Sequence, residues 1–196
     1  MKANKRWRGW MLCGMILMTA GLIAFSISSF RQNRLTEKAA SLLNSLEIPA
    51  EASDPHPLYI DNPKMMMPLA ELEGRNYFGK LEIPALNMTM PLLASTDNGG
   101  LGISICRFTG SLYQDNLALC GQNSRAFFGR LHRMRIGDAI RITDLEGHRF
   151  LFEVCEIVTV RQAELDEALA DDWDLTLFSD RKFGDSTVIV RCERIK

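Results

Sequence analysis

The sequence is short of the features that most quickly assign a chemistry. Its three histidines, His56, His132 and His148, lie too far apart for a local metal motif. Five cysteines are present, but none form a CxxC pair, which excludes zinc-ribbon and thioredoxin-type spacing. Net charge is −1, from 23 basic and 24 acidic residues, so no overall field argues for nucleic acid. There is no internal repeat and no low-complexity segment. With 196 residues, 46% hydrophobic and 24% charged, the chain can build one packed domain with appendages, and not two full domains.

What is present begins at the N-terminus. MKANKRWRGW sets Lys2, Lys5, Arg6 and Arg8 ahead of an uncharged run from Gly9 to Phe30, and Arg31 and Arg34 follow it. The run is long enough to span the hydrocarbon core of a bilayer. The denser positive charge on its N-terminal side predicts a cytoplasmic tail, 1–9, and a single-pass membrane anchor, 10–30, with the remainder outside the cell. A cleaved signal peptide is the competing reading. The length of the run and the lack of a small-x-small site at its end weigh against it. On this topology Cys13 lies in the membrane. Cys106, Cys120, Cys155 and Cys192 lie outside, where disulfides are allowed. Spacing alone pairs none of them, and the plainer reading is four half-buried thiols in strands.

Residues 31–71 read as a stalk. Leu35, Ala39, Leu42, Leu43 and Leu46 recur at helical spacing, and the prolines and acidic residues of 48–68 then predict a linker. The Met65–Met67 run reads as packing rather than a metal site. From 72 to 196 the pattern changes to short strands. NMTMPLL and NLALCGQ are apolar strands, and DAIRITDLEGHRFLFEVCEIVTV is a hairpin about DLEG. QAELDEALADDW is a short helix, and LTLFS and STVIVRCERI are the last two strands. Many short strands with small helices between them indicate an all-β barrel or sandwich. His132 reads as a surface or helix-packing residue, and His148, beside the DLEG turn, as solvent-exposed.

Several of these segments, in order, resemble one family. LEIPALNMTMPLL, ISICRFTGSLYQDNLALCGQNSRAFFGRLHRMRIGDAIRITDLEG and DWDLTLFSDRKFGDSTVIVRCERI are together similar to the sortases, most of all to the class B type of Gram-positive bacteria. The resemblance covers roughly residues 72–196. It implies an all-β, eight-stranded barrel with minor helices behind an N-terminal transmembrane helix. It also implies a membrane-anchored cysteine transpeptidase of the cell surface. Such enzymes cut a sorting signal and pass the acyl fragment to an amine on cell wall or pilin, using a His, a Cys and an Arg. The family needs no cofactor, and no metal or nucleic acid is implied.

Carried over position by position, the resemblance finds none of the three catalytic residues. The AGHN-like run is Cys120-Gly121-Gln122-Asn123, which sets Gln122 at the histidine position. The LTLxTC-like run is Leu175-Thr176-Leu177-Phe178-Ser179-Asp180, which sets Asp180 at the cysteine position. Counting back from VIVRCERI sets Thr187 at the arginine position. A carboxylate attacking an amide would have to form a mixed anhydride, where a thiolate forms a thioester that an amine resolves. Gln122 cannot protonate a leaving amine near neutrality. Thr187 offers no guanidinium charge to an oxyanion, and losing one such donor costs about 10²–10³ in rate. The expectation is therefore a sortase-like scaffold without sortase chemistry, a peptide-binding or regulatory module.

Two alternatives stand beside that one. Cys120, two residues before Gln122 and so on the same strand face, could serve as a relocated nucleophile. Otherwise the barrel is purely structural. Asp180, Arg181, Lys182 and Asp185 read as a solvated loop. A metal site built from Asp180, Asp185 and Glu193 has no fixed geometry behind it.

Overall fold

The computed structural model describes residues 4–52, 54, 56–97, 99–170, 173–180 and 186–195; the side chains of 4–9, 11–13, 24, 27–33, 36 and 162 lie outside that description. The chain divides into two compact units, Met1–Glu37 and Lys38–Lys196. The first is helical. Helix α1 (Asn4–Ser45) runs through the expected anchor and on through most of the expected amphipathic stretch without a break. Met15, Ile16, Leu17, Met18, Leu22 and Ile23 are exposed along it. Among the described residues no helix is long and apolar enough to cross a membrane. Several of the side chains on which the anchor expectation rests are outside the described set.

The second unit is the barrel with its linker. A single turn, α2 (Leu58–Asp61), interrupts the proline-containing linker. The strands are β1 (Ala70–Leu72), β2 (Arg75–Ile83), β3 (Met88–Leu93), β4 (Ile105–Thr109), β5 (Leu117–Gln122), β6 (Ala139–Asp144), β7 (Arg149–Arg161), β8 (Leu175–Asp180) and β9 (Ser186–Arg194). Their order is β1-β2-β3-β4-β5-β8-β9-β7-β6, and β6 pairs again with β2. Eight strands thus close into a ring, as the resemblance implied, and β1 is a short addition on β2. Closure removes the exposed strand edges that an open sheet would leave.

The burial pattern explains the ring. Ile140 and Ile142 on β6, and Phe150, Phe152 and Val154 on β7, alternate inward with exposed neighbours between them. By contrast, β5 is buried on both faces from Leu117 to Gly121. Two parallel pairs, β3–β4 and β5–β8, account for the difference. A parallel pair needs a crossover from one end of the barrel to the other. Residues 94–104 and 162–174 supply these crossovers, the second carrying α3 (Leu165–Leu169). Leu101, Leu165, Ala168 and Leu169 of the crossovers pack over Cys120, Phe178 and Ile189 on the outer face of the sheet.

Strand direction gives the barrel two distinct ends. β5 and β8 finish at one end with Gln122 and Asp180, and Phe127, Phe128 and Leu131 of the following segment are buried there. Phe128 lies against Gly121, where an added Cβ would come within 2.8 Å of its ring. The expected linker lies at the other end. The ring of Tyr59 stacks on Tyr113 at 4.5 Å between centroids, and Met67 is buried beside Leu112. At Gly147 (φ +88°), an added Cβ would fall 3.0 Å from the linker backbone at Ala52 and Glu51, so both the turn and the close approach favour glycine.

Candidate functional site

Two of the three positions singled out by the resemblance are register partners, and the third lies at the start of the next strand. In the β5–β8 ladder Gln122 is the register partner of Asp180, and the backbone N–H of Asn123 donates to the Asp180 carbonyl at 3.0 Å. In the β8–β9 ladder Thr176 is opposite Arg191 and Phe178 opposite Ile189. Register partners share a face, so the Gln122 amide and the Asp180 carboxylate stand side by side, with Thr187 at the start of the adjoining strand β9. Gln122 and Asp180 are half-buried, and Thr187 is buried. The loop residues Arg181, Lys182 and Asp185 lie outside the described residues.

Below the row the same face is apolar. Cys120 is one residue pair down from Gln122 on β5, with Phe178 as its register partner on β8 and Ile189 beyond. Phe108, half-exposed on β4, meets the Phe178 ring edge-on at 5.2 Å. The two crossovers cover this face. Arg191, on the same face of β9, holds the second one in place. Its guanidinium donates to Glu156 at 2.6 Å and to the Ala168 carbonyl at 2.9 Å, and lies 5.8 Å from the Trp173 ring centroid. The result is an apolar strip roofed by the two crossovers, with the half-buried Gln122 and Asp180 at its end.

Cys120 shares this face but not the solvent. It is only 4% exposed, and its thiol is pushed up to about 12, first by burial and then by the neighbouring Asp180 carboxylate. A reactive cysteine needs the opposite environment, electropositive and accessible. Cys106 and Cys192 are likewise buried with raised thiol pKa values, while Cys155 is half-buried. His132 is exposed on the segment that closes this end of the barrel. Glu193, on β9, is exposed and paired in register with Glu153.

One cluster corrects the sequence reading. His148, expected to be solvent-exposed, is buried and polar-bonded. Its Nδ1 is 2.9 Å from Asp144 Oδ2, the same oxygen to which the Tyr113 hydroxyl donates at 3.0 Å. The Asp144 Oδ1 atom accepts the backbone N–H groups of Glu146 and His148, each at 2.9 Å. Asp144, Glu146 and His148 present ligand atoms within 4.8 Å of one another, as a metal site would. Both oxygens of Asp144 are already taken by protein donors, however, so the cluster reads as a clamp on the hairpin turn. The sequence signal was available: an Asp opening a turn, with partners two and four residues on. A cavity of about 370 Å³ lies here beside the linker, lined by Asp54, Tyr59, Tyr113, Glu146 and His148 among others. It is at the end of the barrel away from the polar row.

Comparison with known proteins agrees with this architecture. The model of the sortase domain matches residues 81–194. Solved structures of the same fold include sortase A of Corynebacterium diphtheriae in a lid-mutant form. It is 23% identical, with 86% of this chain and 96% of that one covered, at a TM-score of 0.54. The sortase D5 transpeptidase of Clostridium perfringens is 21% identical over 61% of this chain and 79% of that one, at 0.53. Sortase C of Streptococcus pneumoniae, whose substrate specificity is for pilin, is 19% identical over 84% and 88%, also at 0.53. No curated protein matches the chain. These relatives belong to classes A, D and C, so a class B assignment does not follow from them. The domain match spans more than half of the chain and falls on a barrel closed in the way described, and on these grounds the protein belongs to the sortase family.

Proposed function

We propose that the protein is a membrane-anchored, catalytically silent sortase that holds a sorting-signal-like peptide at the cell surface without cutting it. The observation that carries this reading is the register pairing of Gln122 with Asp180, with Thr187 at the start of the adjoining strand, where the family resemblance calls for His, Cys and Arg. An amide, a carboxylate and a hydroxyl can hydrogen-bond a peptide. They supply neither a thiolate nucleophile, nor a titrating acid, nor a cationic oxyanion donor. The half-exposed Phe108 ring, edge-on to Phe178 beside the row, supports peptide binding. The pilin specificity of the Streptococcus pneumoniae sortase C supports a pilin or surface-protein partner. The uncharged run Gly9–Phe30 behind a basic tail supports anchoring, with the barrel outside the cell. A class B-like, Gram-positive origin rests on the sequence segments alone.

The second reading keeps an enzyme, with Cys120 as the nucleophile. It is favoured by the face that Cys120 shares with Gln122, and weakened by the burial of the thiol and the Asp180 carboxylate above it. Mass spectrometry on the full chain in detergent, mixed with sorting-signal peptides and an amine acceptor, separates the readings. Peptide binding with neither cleaved product nor acyl adduct is the expected result. An adduct on Cys120 would establish the enzyme. Folded protein that binds no peptide would leave a structural barrel.

A further inference from the structure

We infer that Cys106 and Cys120 join in a cross-strand disulfide when the chain folds in the presence of a disulfide oxidant, tying β4 to β5 beneath the groove. Both are thiols in the structure. They are direct register partners in the antiparallel β4–β5 ladder. Directly opposed residues have Cα atoms about 4.5–5.5 Å apart and side chains on one face. A disulfide needs Cα atoms about 4.4–6.8 Å apart, so the backbone already meets the requirement. Cys106 and Cys120 belong to adjoining clusters that share Leu101. Gly100 leaves room for the Cys106 sulfur, which an added Cβ would approach to 3.1 Å. The other two cysteines are held elsewhere. Cys192 is on β9, two strands from β5, and Cys155 is beside it on β7.

The chemistry is thiol–disulfide exchange. One cysteine thiolate attacks an external disulfide, forms a mixed disulfide and releases one thiolate. The second cysteine attacks the protein sulfur of that bond and releases the other. The protein loses two hydrogens, and the oxidant is reduced to two thiols. Burial fixes the timing. In the folded chain both sulfurs are covered and protonated, so exchange belongs to the folding chain, before the crossover of 94–104 closes over the pair. The bond stands independently of peptide binding, and once formed it removes Cys120 from any role as a nucleophile.

The test uses the full chain in detergent. It is reduced and unfolded, then refolded with a mixture of oxidised and reduced glutathione. Free thiols are blocked with iodoacetamide in denaturant at quenching. Trypsin cuts after Arg107 and Arg125, so the two cysteines fall in separate peptides, 81–107 and 108–125. The expected result is that most of the protein carries these peptides joined, lighter by two hydrogens than their sum and separated by reductant. Cys106→Ser should leave Cys120 alkylated. Folded, reduced chain held in the same glutathione mixture should keep both thiols free far longer than the refolding chain does. Alkylation of both peptides after refolding to the native circular-dichroism spectrum would overturn the proposal. So would a bond from Cys120 to Cys155 or Cys192. Should refolding yield no native protein, the same mapping on chain exported to an oxidising compartment and blocked at lysis decides between these outcomes.

Discussion

At the scale of single residues, the question is whether the silent row can be made to work. If Gln122, Asp180 and Thr187 hold the positions of the catalytic His, Cys and Arg, then Gln122→His, Asp180→Cys and Thr187→Arg together should rebuild the reaction. The expected outcome is an acyl adduct at position 180 with a sorting-signal peptide, where the native chain gives none. Asp180→Cys alone should be slower than the triple variant by at least about 10², since the general acid and the cationic donor are each worth that much. No adduct from a folded triple variant would show that the row is misplaced or that the surrounding loops no longer admit substrate. The buried thiols make a separate prediction for the reduced protein. Cys106 and Cys120 are raised from an ordinary value of 9.0 to about 12, chiefly by burial, and Cys192 is raised too. The folded state therefore holds these protons more tightly than the unfolded state. Unfolding releases them between about pH 9 and about pH 12, so stability present below pH 9 is lost as pH rises across that window. Urea midpoints measured from pH 8 to pH 11 should fall. Replacing Cys106 and Cys120 by alanine should flatten that part of the fall.

At the scale of elements, two junctions hold the site in shape, and they differ in how visible they were in the sequence. Gly121 sits between Cys120 and Gln122 in a run that resembles AGHN, and the reason for glycine appears only in three dimensions. A Cβ there would come within 2.7 Å of Ile105 Cδ1 and 2.8 Å of the Phe128 ring, both buried. Gly121→Val should overpack this end of the barrel and cost about 1–3 kcal/mol in urea denaturation. The Asp144 clamp is the other junction. Its carboxylate is fully buried and receives two backbone N–H groups, the Tyr113 hydroxyl and His148 Nδ1. Asp144→Ala leaves those groups buried without a partner, at a cost of about 3 kcal/mol or more. Reading DLEG as a hairpin turn found the bend. It could not find Tyr113, which is 31 residues away in the chain and reaches Asp144 only once the barrel has closed.

At the scale of the whole molecule, legibility follows sequence distance. The alternation of β6 and β7 and the apolar runs of β5 and β8 are local patterns, and each formed where its pattern lay; the helix expected over 162–173 forms as a 3-10 turn at Gln162–Glu164 followed by α3. The pairing of Gln122 with Asp180 joins positions far apart in the chain, with two whole strands between them, and only family resemblance could align those positions beforehand. The burial of Cys120 and the docking of the linker depend on the two crossovers and on the far end of the barrel, which no local pattern records. That separation of ends yields a last prediction. Tyr59 contacts Tyr113, His148 and Phe150, all at the end opposite the polar row. Tyr59→Ala removes a stacked pair worth about 0.5–1.5 kcal/mol, together with the area it covers. It should lower stability, and speed proteolysis in the linker of residues 48–68, while leaving peptide affinity at the groove unchanged. Arg191→Ala should do the reverse. It frees α3 from β9 at the wall of the groove, so peptide affinity should fall and protease cleavage of 162–170 should rise, with the linker still protected. If Tyr59→Ala also abolished binding, the linker would have to act on the groove through the length of the barrel, and the division between a stabilising end and a binding end would fail.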